Sequence, residues 1–282
     1  MNPRFQRWQR CLCGLMLALA CLAQGDSALA EETLADPVED RLLEFSGVEF
    51  SGVEGAVADN LRQRVSLARL KLGTGLRPSR FRYFLRILPR EVDAAMQPFG
   101  FYASEVEITP RQQGGRLGAL VVVRPGEPVR VKVERLTVDG EGGEDRALRR
   151  AIRRFAPGDG DVLEHPRYEA SKSNVNRLLG ERGYFDAELA SARVEVIRAR
   201  SEAVLDLHWN SGPRYRFGDT RFAGSQFRQG LLDPLIPYRA DAPYLQSDLL
   251  TLQQRLTDLD YFDRIDVLPR LQAQPERDPA AQ

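Results

Sequence analysis

The sequence predicts an α+β protein of tandem modules, each with helices packed on one face of a small mixed sheet. Three observations predict it. An aromatic signature recurs as Phe99-Gly100-Phe101-Tyr102, Arg182-Gly183-Tyr184-Phe185-Asp186 and Asp260-Tyr261-Phe262-Asp263. Ahead of each copy lies a stretch whose apolar residues fall at steps of three and four, which marks one buried helical face. After each copy the period changes to two, or to short β-rich runs, which marks strands.

Taken in order, the chain begins with Arg4, Arg7 and Arg10, an apolar run from Cys11 to Ala23, and then Ala28-Leu29-Ala30. That order is a secretory signal peptide over residues 1–30, cleaved after Ala30 with Ala28 as the upstream small residue. The run falls short of the roughly 20 residues a spanning helix needs, and no later segment is apolar for as long. Cys11, Cys13 and Cys21 all lie in this leader, so the exported chain has no cysteine for thiol catalysis, disulfides or thiolate metal sites. A lipidated Cys21 is the competing reading, but Ala18 stands where a lipoprotein signal usually carries leucine.

Modules are expected at 41–125, 128–211 and 212–271, followed by a polar, disordered tail over 272–282. The long helices are marked by Phe81, Phe84, Leu85, Leu88, Val92, Ala95 and Met96, with Pro89 expected to kink or interrupt; by Tyr168, Val175, Leu178 and Leu179; and by Leu245, Leu249, Leu252, Leu256 and Leu259. A shorter helix is clearest at Glu144–Phe155, where Glu144 and Asp145 suit the positive end of the helix dipole. Strands are expected around Val106 and Ile108, Val194 and Val196, and Ile265 and Val267. Further runs, Leu120–Arg124 and Val204–Trp209, stop at Pro125-Gly126 and Asn210-Ser211-Gly212-Pro213. Each is followed at once by a new strand, at Val129, Val131 and Val133 in one case and at Tyr215 and Phe217 in the other. Gly183 suits a left-handed helix end, and Gly100-Phe101-Tyr102, Tyr184-Phe185 and Tyr261-Phe262 read as structural filling between helix and sheet.

Chemistry is sparse. The composition is globular, with 43% hydrophobic and 28% charged residues, and 40 basic residues balance 40 acidic ones, which argues against nucleic acid as a partner. His165 and His208 are the only histidines, they fall in different modules and neither has metal-ligand spacing. They read as a surface turn and an exposed strand residue. Gly73, Gly75, Gly114, Gly115, Gly142 and Gly143 fit no phosphate loop. Arg149, Arg150, Arg153 and Arg154 form a basic helix face whose plain reading is a solvated surface, with acidic lipid or an acidic partner as the alternatives. No catalytic residue, cofactor or metal is expected.

The βααββ order with Gly-Tyr-Phe-Asp after the second helix, as in Arg182 to Asp186, resembles the polypeptide-transport-associated (POTRA) domain. The run Asn210 to Gly218, continuing through Phe222-Ala223-Gly224-Ser225-Gln226, is similar to the joint between the second and third POTRA domains of the TamA (translocation and assembly module) family, in the BamA-like outer-membrane assembly superfamily. The resemblance spans about 41–271. It implies periplasmic domains ahead of a C-terminal β-barrel, a role in outer-membrane protein insertion and autotransporter secretion, a TamB-like inner-membrane-anchored partner, unfolded clients, and no enzyme activity. Backbone-mediated strand addition would be the working contact. The resemblance places the edge strands near Val106–Thr109, Val194–Arg198 and Arg264–Val267. Against the family pattern, no barrel-type strands follow and the third module lacks its closing strand, so the sequence reads as a fragment or truncated product whose last residues fray. A free-standing periplasmic POTRA scaffold is the alternative.

Overall fold

The computed structural model describes residues 41–228 and 230–271; the signal segment with Ala28 and Ala30, and the tail, lie outside them. The α+β expectation is met. In the first module β1 (Leu43–Ser51), α1 (Gly55–Arg64), β2 (Gly75–Leu76), α2 (Pro78–Met96), β3 (Glu105–Gln113) and β4 (Arg116–Arg124) follow one another. The sheet order is β2-β1-β4-β3, with β1 parallel and β3 antiparallel to the central β4. The second module repeats this with β5 (Arg130–Asp139), α3 (Arg146–Arg153), α4 (His165–Glu181), β6 (Glu188–Ile197) and β7 (Glu202–Asn210), ordered β5-β7-β6.

Each central strand alternates as a half-buried strand must. Ala203, Leu205, Leu207 and Trp209 of β7 are buried, and meet Val175 and Leu179 of α4 in one apolar cluster. Leu117, Ala119, Val121 and Val123 of β4 meet Leu61 of α1 and Phe84, Leu88 and Val92 of α2 in another. The opposite sheet faces are solvated and carry ion pairs such as Arg111–Glu49 at 3.0 Å and Arg135–Asp206 at 2.7 Å.

Several expectations need correction. Pro89 does not interrupt α2, which runs unbroken over 19 residues. The carbonyl it leaves without a donor belongs to Leu85, on the half-buried flank rather than the core stripe. The helix expected from Glu144 begins at Arg146, because Asp145 is its cap and accepts the N–H groups of Ala147 and Leu148. Tyr215 and Phe217 form no strand, only a single bridge between Arg216 and Pro243. Ile265 and Val267 likewise form no strand: they pack with Leu252, Leu256 and Phe262 around α5 (Gln246–Thr257), with no ladder beside them. An extended segment without a neighbouring strand has no hydrogen-bond partners that would hold it in a sheet. Tyr261 is no core filler either, being 64% exposed with its ring edge against Phe227.

Candidate functional site

Two kinds of surface come out of this fold, the open sheet edges and the joints between modules. The edges follow from strand order: β3 pairs only with β4, and β6 only with β7. Val106 and Ile108 lie on the first edge and Val194 and Val196 on the second, all half-buried against their own cores. Pro110 interrupts the row of donors on β3, and a register shift between Leu189 and Ser191 distorts β6. The regular stretches are therefore Glu105–Thr109 and Ser191–Ile197. Arg198 lies beyond, in a 3-10 turn.

The joints are where the aromatic signature acts, and they repeat one geometry. Gly100 and Gly183 end their helices with φ of 87° and 84°, and a Schellman pattern closes both: Phe101 N–H donates to the Met96 carbonyl and Tyr184 N–H to that of Leu179. Asp260 holds the third place at φ 54°. Each glycine carbonyl then accepts the first N–H of the following segment, from Val129 at 2.8 Å and Tyr215 at 2.8 Å. Those residues in turn accept from Leu163 at 2.9 Å and Tyr244 at 3.0 Å. A Cβ on Gly100 would meet Val162 at 2.8 Å, and one on Gly183 would meet Tyr244 at 2.8 Å. Close approach of the next module, as well as helix termination, thus requires glycine.

Aromatic side chains finish the contact. Tyr102 joins the second module's cluster and its hydroxyl lies 2.8 Å from Nε2 of His165, the first residue of α4. Phe185 stands edge-on to Tyr215 and Tyr244, at 5.3 and 5.0 Å between centroids. At this second joint Asp145, with its side chain 2% exposed, pairs with Arg182 and lies 3.7 Å from Arg214. Arg214 also donates to the carbonyls of Arg182 and Tyr244, and so ties three segments together. Burial alone raises the Asp145 pKa, but the Arg182 guanidinium and the amide of Ala147 outweigh it and hold the carboxyl below its usual value.

His165 is therefore a joint residue rather than a plain surface turn, and sequence reasoning missed it. The short connections were the available signal, since 125–129 and 211–213 are too short to keep successive modules apart. His208 shares the β7 face with Asp206 as expected, but its side chain is only 20% exposed and bonds to Asp139 at 2.8 Å. Arg149, Arg150, Arg153 and Arg154 are exposed on α3. Among the described residues no cluster of His, Cys, Asp or Glu is placed to hold a metal, and no helix is long and apolar enough to cross a membrane.

Burial pushes the His165 pKa down, partly opposed by Glu169. The unfolded chain therefore binds the proton more readily, and the stability His165 protects is complete above its unfolded value of about 6.5 and declines as pH falls from there through the lower folded value. The first joint is expected to loosen as pH falls from about 7.5 to about 5.5. Limited proteolysis at 125–128 should accelerate over that range, and His165→Gln should flatten the change; an unchanged cleavage rate would contradict this.

Residues 47–125 match the family model described as POTRA domain TamA domain 1, and residues 131–208 match the POTRA model described as surface antigen variable number repeat. Similar solved structures include Haemophilus influenzae BamA POTRA3-5, 15% identical with a TM-score of 0.40, covering 82% of this chain and 91% of that one. POTRA1-3 of the periplasmic domain of Omp85 from Anabaena is another, 13% identical with a TM-score of 0.31, covering 81% and 89%. The βααββ modules thus define a POTRA-domain protein. With a TamA-type domain first and a second POTRA domain directly after it, the chain belongs to the TamA/BamA-like POTRA proteins.

Proposed function

We propose that this chain is the periplasmic POTRA region of an outer-membrane assembly factor, with a third POTRA module over 212–271, and that it receives unfolded outer-membrane clients by strand addition. The observation that supports this reading is the strand order, which leaves β3 and β6 each paired on one side only among the described residues. An edge pairs through backbone groups, which every client shares, so one surface can serve many sequences. A TamB-like inner-membrane-anchored protein would dock on the same kind of edge, and autotransporters would be among the clients. The role requires no catalytic group.

Hydrogen exchange tests it. An unfolded outer-membrane β-barrel protein, diluted from urea into the exported chain, is expected to slow exchange at least tenfold at Val106 and Ile108 and across Ser191–Ile197. Unchanged exchange on both strands, with the client shown to be bound, would sink the strand-addition reading.

A further inference from the structure

We propose that a second acceptor lies on the opposite edge of the second sheet, a groove between β5 and α3 that takes an extended acidic polypeptide segment. The site rests on the same strand-addition reading but uses an edge that reading does not assign.

The first half of the β5 edge is already occupied. Val131 N–H donates to the Asp161 carbonyl at 2.8 Å, Gly160 N–H donates to the Val131 carbonyl at 2.8 Å, and the Asp159 carboxylate accepts Val133 N–H at 2.9 Å. Beyond Val133 no described segment pairs with this edge. A register shift before Arg135 brings Leu136 and Val138 opposite Leu207 and Trp209, continuing the series in which Val131 and Val133 oppose Ala203 and Leu205. Leu136 and Val138 therefore inherit the outward backbone direction of Val131 and Val133.

Beside these outward groups runs a groove of about 340 Å³, with Leu136, Val138 and Ile152 among its lining residues. All three are half-buried, an apolar floor left partly open. Its far wall is the basic face of α3, with Arg149 and Arg153 at the rim and Arg150 and Arg154 beside them. Glu144 pairs with Arg149 at 3.1 Å, and Asp139 on the near rim is engaged by His208, so the positive charge on this wall outweighs its acidic neighbours.

Edge donors, an apolar floor and a guanidinium wall together fit a strand that alternates apolar with acidic side chains. The strand would extend the sheet through Leu136 and Val138, place its apolar residues on Ile152, and set its carboxylates against Arg149 and Arg153. A lipid surface would use the arginines alone and leave the sheet edge unpaired.

The probe is a labelled ten-residue peptide of alternating valine and glutamate, titrated by anisotropy against the exported chain, with a valine–lysine peptide as its counterpart. The glutamate peptide is expected to bind, to protect the amides of Leu136 and Val138, and to lose at least tenfold in affinity in an Arg149→Glu, Arg153→Glu double variant whose circular dichroism and melting are unchanged. The lysine peptide is expected to bind at least tenfold more weakly than the glutamate peptide. Equal affinity for the double variant would overturn the proposal, as would failure of the glutamate peptide to bind. Protection confined to β3 and β6 would remove this site and leave the function proposed above standing, whereas protection at 136–138 without any on β3 or β6 would do the reverse. Arginine-dependent binding to phosphatidylglycerol vesicles with no peptide binding would assign the face to lipid and overturn the proposal too.

Discussion

Gly183→Val is expected to lower stability by roughly 3 kcal/mol and to open the second joint. Two causes add. Backbone at φ 84° is strained for any residue with a Cβ, and most of all for a β-branched one. The new Cβ also lands 2.8 Å from the Cβ of Tyr244 and 3.3 Å from the Tyr215 carbonyl, so the following segment must move away. Phe185 then loses its edge contacts to both tyrosines, and the connection at 211–213 becomes open to protease. Gly180, three residues earlier in the same helix, has no positive φ and nothing within 4 Å of its Cβ position. Gly180→Ala is therefore expected to raise stability by about 0.5–1 kcal/mol. Thermal melts and trypsin cleavage of the two variants separate a joint glycine from a merely tolerated one; similar behaviour would refute the joint role.

Asp145→Ala should cost on the order of 3 kcal/mol. The side chain caps α3 and is also the buried partner of Arg182, so one substitution removes a cap and leaves a guanidinium without its carboxylate. Arg182 is 26% exposed and can recover some hydration, which keeps the loss toward the lower part of the range for a broken buried pair. Asp145→Asn retains an oxygen for the Ala147 amide and should recover the cap, about 1 kcal/mol of the loss. The depressed pKa supplies an independent check. A carboxyl held below its unfolded value contributes its full stability above about pH 4, and that contribution is lost as pH falls through the lower folded pKa. Acid melts of the parent chain should therefore show a loss below about pH 4 that Asp145→Asn lacks. Parallel pH profiles would exclude the ion pair as a stabilising element.

The helix faces and central strands of the first two modules were legible in the sequence because they depend on local period. Val175 and Leu179 share a helical face, and Leu205, Leu207 and Trp209 share a strand face, whatever lies beyond them. The turn chemistry at Pro125-Gly126 and Asn210 to Pro213 stopped the strands where it was expected to. Ile265 and Val267 carry the same alternation yet form no strand, because a strand exists only when a distant segment pairs with it. The aromatic signature shows the same division. Its recurrence, and the left-handed glycine it contains, can be read from the residues alone. That Gly183 meets Tyr244, that Tyr102 meets His165, and that Asp145 meets Arg182 and Arg214 are contacts between residues far apart in the chain. No local pattern encodes them. Which edges stay open was likewise decided only when the helices crossed over to set the strand order β5-β7-β6, since an edge is defined by the absence of a neighbour that the whole fold must leave out.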